Sequence, residues 1–284
     1  MSLDAATRSA IEQALSSRVV GASAMGGGCI AAVRRVSLAD GREVVVKHGR
    51  GLALEAWMLR WLAERTRAPV PAVLHADDAL LILELLEGDS AGLSAAAEAQ
   101  LGEIVANLHS IGSDSFGFER DTVIGSLSQP NPRRPSWREF FRGDRLLHMA
   151  DEAVGAGRLP TRTRARVDAL AGRLERWIDD GARPSLIHGD LWAGNILSRG
   201  GRITGLIDPA LYFADPEIEL AFMTLFGSVG EAFFRSYGER RPLRPGFFEA
   251  RRDLYNLYPL LVHVRLFGGS YAAQVERTLD KFGV

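Results

Sequence analysis

The run His188-Gly-Asp-Leu-Trp-Ala-Gly-Asn195, followed by Gly205-Leu-Ile-Asp208, decides how this chain is read. Asp190 and Asn195 stand five apart, and Asn195 and Asp208 thirteen apart. Phosphoryl transfer needs a carboxylate that orients the acceptor hydroxyl and takes its proton, plus two oxygen ligands holding Mg²⁺ against a triphosphate. Asp190, Asn195 and Asp208 suit those three tasks in that order, with the spacing of a kinase catalytic loop and its metal-binding Asp. Taken singly, the first motif reads equally well as a polar turn and Asp208-Pro209 as a capping loop. Together, in order and flanked by the apolar strands Leu186-Ile187 and Ile196-Leu197, they read as one constellation.

Working outward toward the N-terminus, a helix is predicted over Ala5 to Leu15, then Gly26-Gly27-Gly28 and a strand over Ile30 to Val36. Asp40-Gly41 is a hairpin turn and Glu43-Val-Val-Val-Lys47 the returning strand. In a kinase-like architecture the lysine of the third strand bridges the α- and β-phosphates and is held by a glutamate on the next helix. Lys47 fills the first role, and Glu55 the second, with Glu64 a poorer candidate. An arginine at 47 would keep the charge, but its planar fork demands a different geometry from an ammonium. Gly27 and Gly28 could bring backbone amides to the phosphates, although the full G-x-G-x-x-G spacing is missing. A helix is predicted over Ala53 to Arg65, then strands over Val73 to His75 and Leu80 to Leu86. Glu84-Leu85-Leu86 is read as the hinge whose backbone meets adenine.

Beyond Leu93 helices are predicted over Ala95 to His109, Trp137 to Val154, Thr163 to Asp180, Glu217 to Phe226 and Arg251 to the end. A short strand is read over Ile203 to Asp208. The layout is α+β: a two-lobed protein-kinase-like fold with a small antiparallel β-rich lobe (1–86) and a larger, mostly helical lobe (87–284). His109 reads as a satisfied core or capping histidine, and His188 as ordering the catalytic turn. Neither has metal-ligand company, so no zinc site is expected.

Composition excludes several classes. The 284 residues carry 34 basic and 35 acidic side chains, a formal net charge of −1. Nucleic-acid or anionic-membrane binding needs a basic excess and is not expected. No apolar stretch is long enough to span a membrane, and no signal peptide is read at the N-terminus. A single cysteine, Cys29, permits no intrachain disulfide, and a cytoplasmic protein is expected. Only Lys47 and Lys281 are lysine, all other basic residues being arginine, which makes Lys47 conspicuous; Lys281 has no readable role.

Taken further, the sequence resembles the fructosamine (ketosamine) kinases, within the aminoglycoside-phosphotransferase-like group of kinases. The resemblance is carried by Gly27-Gly-Cys-Ile30, Phe116-Gly-Phe118, Gln129-Pro-Asn131, Trp137-Arg-Glu-Phe-Phe141, Arg145-Leu146 and the His188 to Asn195 loop. Ile207-Asp-Pro-Ala210, Tyr255-Asn-Leu-Tyr258 and His263-Val-Arg-Leu-Phe-Gly-Gly-Ser-Tyr271 extend it, so that it covers most of the chain from Gly26. It implies ATP- and Mg²⁺-dependent phosphorylation of the 3-hydroxyl of a sugar ketoamine, free or protein-bound. The 3-phosphate then eliminates and frees the amine, reversing glycation. It also implies that Asp190 is the base and that Trp192 sits beside the acceptor sugar, although Trp192 reads almost as well as a core residue.

After Ala210 the sequence departs from the family. Asp215-Pro216 replaces a His-Arg pair, which is expected to place an acid near a more cationic acceptor. Cys29 falls at the family's glycine-loop cysteine, so either a monomer or a redox-switched, Cys29-linked dimer is expected. Two other functions remain open: the same fold acting on an aminoglycoside, choline-like alcohol or other amino-sugar, and a nucleotide-binding module without catalysis. The presence of Lys47, Asp190, Asn195 and Asp208 together weighs against the second.

Overall fold

A computed structural model describes residues 3–25, 32–179 and 181–284. The expected glycine loop, with Gly27, Gly28 and Cys29, lies outside the described residues, as does the start of the strand read from Ile30.

Five strands form one antiparallel sheet: β1 (Val19–Ala24), β2 (Ala32–Leu38), β3 (Glu43–His48), β4 (Val73–Ala76) and β5 (Leu80–Glu84), in the order β1-β2-β3-β5-β4. The β2–β3 turn closes where Leu38 N–H reaches the Arg42 carbonyl, with Gly41 at φ +88°. Strand residues alternate between faces. Val44 and Val46 therefore bury against α1 (Ala5–Leu15), packing with its Ile11 and Leu15 and with Val36 and Ile82. Lys47 is one position out of step with them and points to the opposite face. That face is covered by α2 (Leu52–Arg65), whose Leu52, Ala56 and Leu59 meet Leu81 and Leu83. β1 has no alternating apolar pattern and was not foreseen; it makes the lysine-bearing strand the third.

Beyond residue 90 follow α3 (Ala95–His109), the hairpin β6 (Thr122–Ile124) and β7 (Leu127–Gln129), then α4 (Trp137–Phe140), α5 (His148–Gly155) and α6 (Thr161–Ala171). Next come β8 (Ser185–Ile187), β9 (Ile196–Arg199), β10 (Arg202–Leu206), β11 (Tyr212–Ala214) and α7 (Glu217–Leu225). α8 (Glu231–Arg240), α9 (Arg252–Phe267) and α10 (Ser270–Lys281) complete the chain. β8 pairs with β11 and β9 with β10, both antiparallel. One apolar cluster joins these helices and takes in Met58, Trp61 and Leu62 from α2.

Several predicted boundaries shift for local reasons. The helix read over Trp137 to Val154 is interrupted by a π-helical turn, Phe141–Leu147. That read over Thr163 to Asp180 stops at Ala171, before Gly172, and a 3₁₀ turn over Leu174–Arg176 follows. The C-terminal helix breaks at Gly268-Gly269, both at positive φ. The β5 ladder ends with Glu84 opposite Val44, so Leu85 and Leu86 leave the sheet. The strand read to Asp208 ends at Leu206.

Candidate active site

The short β8 and β9 strands hold the ends of the His188 to Asn195 loop in the apolar core, and the loop itself turns through a 3₁₀ segment, Ala193–Asn195. Gly189 has φ +86°, and a Cβ there would lie 2.1 Å from the Ala210 carbonyl oxygen, so only glycine fits. Close approach at this point lets Ala210 N–H donate to the His188 carbonyl at 2.7 Å, which locks the loop carrying Asp190 to the segment following Asp208. Asp208 itself stands at φ +56°, an uncommon conformation for a side chain other than glycine. Ile207 N–H donates to the Asn195 carbonyl at 3.1 Å and keeps this turn in place.

These constraints bring distant residues to one cleft of about 1730 Å³. Lys47 Nζ donates to Glu55 Oε1 at 2.7 Å and also to Asp208 Oδ1. Glu64 points away, exposed and paired with Arg65. Lys47 is only 7% exposed. Burial would lower its ammonium pKa, but the charges of Glu55 and Asp208 prevail and hold it above the ordinary lysine value. Burial, reinforced by Asp208 and opposed by Lys47, raises the Glu55 carboxyl. Asn195 Nδ2 donates to the Asp190 carbonyl at 2.8 Å and to Asp190 Oδ2 at 3.0 Å. Desolvation, then the negative charge of Asp208, pushes Asp190 up to about 7; the Asn195 hydrogen bond offsets part of that.

Leu85 and Leu86 line the cleft beside Glu84, where the chain leaves β5. Trp192 is 42% exposed and lines the same cleft, its ring over Gly194, so it is not a core residue. Phe226, His263, Phe267 and Tyr271, which also line the cleft, form an aromatic group.

Asp215 does not face an acceptor, which corrects the charge expected from the Asp215-Pro216 departure. It is buried, bound to the Arg244 guanidinium and to Tyr255 OH at 2.7 Å, and takes no part in lining the cleft. Sequence reasoning missed Glu219. Its carboxylate accepts the Gly189 N–H at 2.6 Å, the His188 N–H at 3.2 Å and a hydrogen bond from His109 Nε2 at 2.9 Å. Burial alone would raise Glu219, but His109 and the loop amide hold it below the usual carboxylate range. The available signal was an acid inside the apolar run Ile218 to Met223, which must be buried with partners. His109, also bound to Tyr237 at 2.9 Å, is the satisfied core histidine expected. Burial lowers the pKa of His188, whose Nδ1 faces the Asp190 N–H at 3.4 Å.

A five-stranded antiparallel sheet with an ion-paired lysine, set over a helical region with a catalytic-type loop, defines the protein-kinase-like phosphotransferase fold. Aminoglycoside phosphotransferase APH(4)-Ia, solved in ternary complex with AMP-PNP and hygromycin B, shares that fold with TM-score 0.67 over 96% of both chains at 19% identity. The chain belongs to the fructosamine kinase family, whose family model matches residues 3–283. A Thermobifida fusca crystal structure provisionally named a fructosamine-3-kinase superposes with TM-score 0.86, covering 96% of each chain at 31% identity. The protein-ribulosamine 3-kinase of Oryza sativa subsp. indica, described as chloroplastic, is 31% identical over 93% of this chain and 79% of its own length. A probable ketoamine kinase of Synechocystis is 39% identical over 64% of this chain. The match spans about three-fifths of the length of the ketoamine kinases from Synechocystis and Vibrio parahaemolyticus, 61% and 62%. Among the described residues no helix is long and apolar enough to cross a membrane.

Proposed function

We propose that the protein is an ATP-dependent kinase that phosphorylates the 3-hydroxyl of a sugar ketosamine. The observation that carries this reading is the convergence of Lys47 with Glu55 and Asp208, and of Asp190 with Asn195, in one cleft. In it, Lys47 exchanges its contact with Asp208 for the α- and β-phosphates while Glu55 keeps its side chain in place. Backbone groups of Glu84 to Leu86 meet the adenine. Asp190 accepts the proton of the acceptor hydroxyl as that oxygen bonds to the γ-phosphorus and the bridging oxygen departs with ADP.

The donor set fits a hard divalent cation. Asn195 spends Nδ2 on Asp190, leaving its carbonyl oxygen for a metal, and Asp208 has a second oxygen beyond the one Lys47 holds. Among the described residues no group of three or more His, Cys, Asp or Glu could enclose a metal alone, which suits a cation shared with phosphates. Mg²⁺ held by Asn195 and Asp208 would neutralise charge building on the transferring phosphates.

The aromatic lining of the cleft supports a ketosamine acceptor. The faces of Trp192 and Phe226 suit an apolar sugar face and an adjacent secondary ammonium, whose cation is attracted to ring quadrupoles. The test is ADP release with fructosyl-lysine and ribulosyl-lysine against an aminoglycoside panel. Turnover of a ketosamine is expected; turnover of aminoglycosides alone would reassign the acceptor, and no ADP release with any acceptor would leave a nucleotide-binding module.

A further inference from the structure

Beneath the cleft lies a buried polar network that the transfer chemistry leaves unused. Arg145, in the π-helical turn Phe141–Leu147, is fully buried, and among the described residues no carboxylate pairs with it. Its guanidinium donates to the Pro130 carbonyl at 2.7 Å, the Asp144 carbonyl at 2.9 Å and Asn131 Oδ1 at 2.6 Å, while Nε has no partner. Its charge lies 4.0 Å from the Tyr212 ring centre, 4.4 Å from Phe140 and 5.5 Å from Tyr258. Burying a cation without a counter-ion is costly, and apolar residues would pack there at less expense, so a purely structural role is a poor account of it.

The contacts lead to the active-site backbone. Asn131 Nδ2 and Gln129 Nε2 both donate to Thr122 Oγ1, at 2.8 and 2.9 Å, and Thr122 donates to the Leu211 carbonyl at 3.3 Å. Gln129 Nε2 also donates to the Ala210 carbonyl at 3.1 Å, and Tyr258 OH donates to Gln129 Oε1 at 2.8 Å. Ala210 in turn donates its N–H to His188. Tyr212 and Tyr258 are themselves part of the cleft wall.

We propose that Arg145 is a positioning residue for phosphoryl transfer: clamped by Tyr212 and Tyr258 and tied through Asn131, Thr122 and Gln129 to Ala210 and Leu211, it fixes the Asp208 loop against the Asp190 loop. This rests on the roles proposed above for Asp190 and Asp208. Such a device acts on the alignment of reacting groups more than on ground-state binding, so its loss lowers kcat while KM stays nearly constant.

The test is steady-state kinetics of Arg145→Met and Arg145→Lys in the full chain, with folding followed by circular dichroism and ATP binding by calorimetry. Arg145→Met is expected to bind ATP within about threefold of wild type and to lose roughly thirtyfold or more in kcat. Arg145→Lys, which keeps a cation between the rings, is expected to recover about fivefold of that loss, whichever way the melting temperature moves. A folded Arg145→Met with kcat within about twofold of wild type overturns the proposal, as do losses that fall equally on ATP affinity and kcat. Should Arg145→Met not fold, Asn131→Ala cuts the tie and leaves the cation; about fivefold lower kcat is expected, and unchanged kcat overturns the proposal. Wild-type inactivity toward every ketosamine would sink the acceptor reading alone, since the same comparison is then made on whichever acceptor is turned over, or on ATP hydrolysis by water.

Discussion

Two clusters of charge sit in this protein, their nearest acids Asp208 and Asp215 seven residues apart, and they are built on opposite plans. Around Lys47, one ammonium serves two carboxylates, Glu55 and Asp208, with Asp190 close enough to feel the Asp208 charge. Around Arg244 and Arg251, two guanidiniums, a tyrosine and two backbone amides saturate Asp215 and Glu217. Glu217 takes Arg251 Nε at 2.6 Å and the Arg244 N–H at 3.1 Å, and Asp215 takes Tyr255 and the Glu217 N–H. The second cluster is sealed and compensated. The first faces a cleft and carries more acid than base, the arrangement expected of a site completed by a cation and a polyphosphate. Charge alone therefore does not mark function in this fold; under-compensation beside a cavity does.

The strongest way to break that contrast is Asp190→Asn. Loss of the proposed base is expected to lower kcat by roughly 10²–10⁴-fold while ATP binding and melting temperature hold, as measured by ADP release, calorimetry and thermal unfolding. Turnover near wild type would remove Asp190 as the base. Lys47→Arg comes next. It preserves charge, but a planar fork does not present the compact ammonium that Glu55 and the phosphates share, so kcat/KM for ATP should fall by on the order of a hundredfold. A fully active arginine variant would mean that the scarcity of lysine in this chain has been over-read.

The sealed cluster should respond in the opposite currency. Glu217→Gln removes the carboxylate that holds the buried Arg251 and is expected to cost about 3–5 kcal/mol of stability. For a chain of this size that is a fall on the order of 10 °C in Tm, read by thermal unfolding. kcat per folded molecule should stay within about twofold of wild type, because neither Asp215 nor Glu217 lines the cleft. A stable variant with impaired kcat would place this cluster in the catalytic machinery after all.

The two clusters also differ in how well the sequence announced them. That Asp190, Asn195 and Asp208 converge was legible because the chemistry proposed for them calls for that spacing along one short segment. Lys47 and Glu55 were legible because a strand followed by a helix leaves few partners within reach. Asp215 was misread, since its partners Arg244 and Tyr255 come from elements far along the chain and no local pattern reveals them. Glu219 was missed for the same reason, its ligands being backbone amides of another loop. In the fold, long periodic helices such as Ala95–His109 were read to the residue, whereas β6, β7 and β11, each of three residues, carry too few positions for any period to appear. The π-helical turn at Arg145 reads as ordinary helix, because one extra residue in a turn barely disturbs the apolar repeat.

The smallest expected effect comes from pH, and it sharpens the same contrast between an under-compensated acid, Asp190, and a saturated one, Glu219, both of which line the cleft. Burial and the neighbouring Asp208 raise Asp190 to about 7, whereas His109 and the loop amides hold Glu219 below the usual range. Only the first therefore changes charge near neutrality. A base acts as the carboxylate, and its ionised fraction falls as pH drops through its pKa. kcat/KM for ATP, which reports groups of the free enzyme, should be level above about pH 8 and fall about tenfold per pH unit well below 7. Glu219 should add no inflection there, and thermal unfolding over the same range should show no loss traceable to it. A rate profile flat down to about pH 5.5 would mean that Asp190 is held ionised in the free enzyme, and that the cleft is less under-compensated than its geometry indicates.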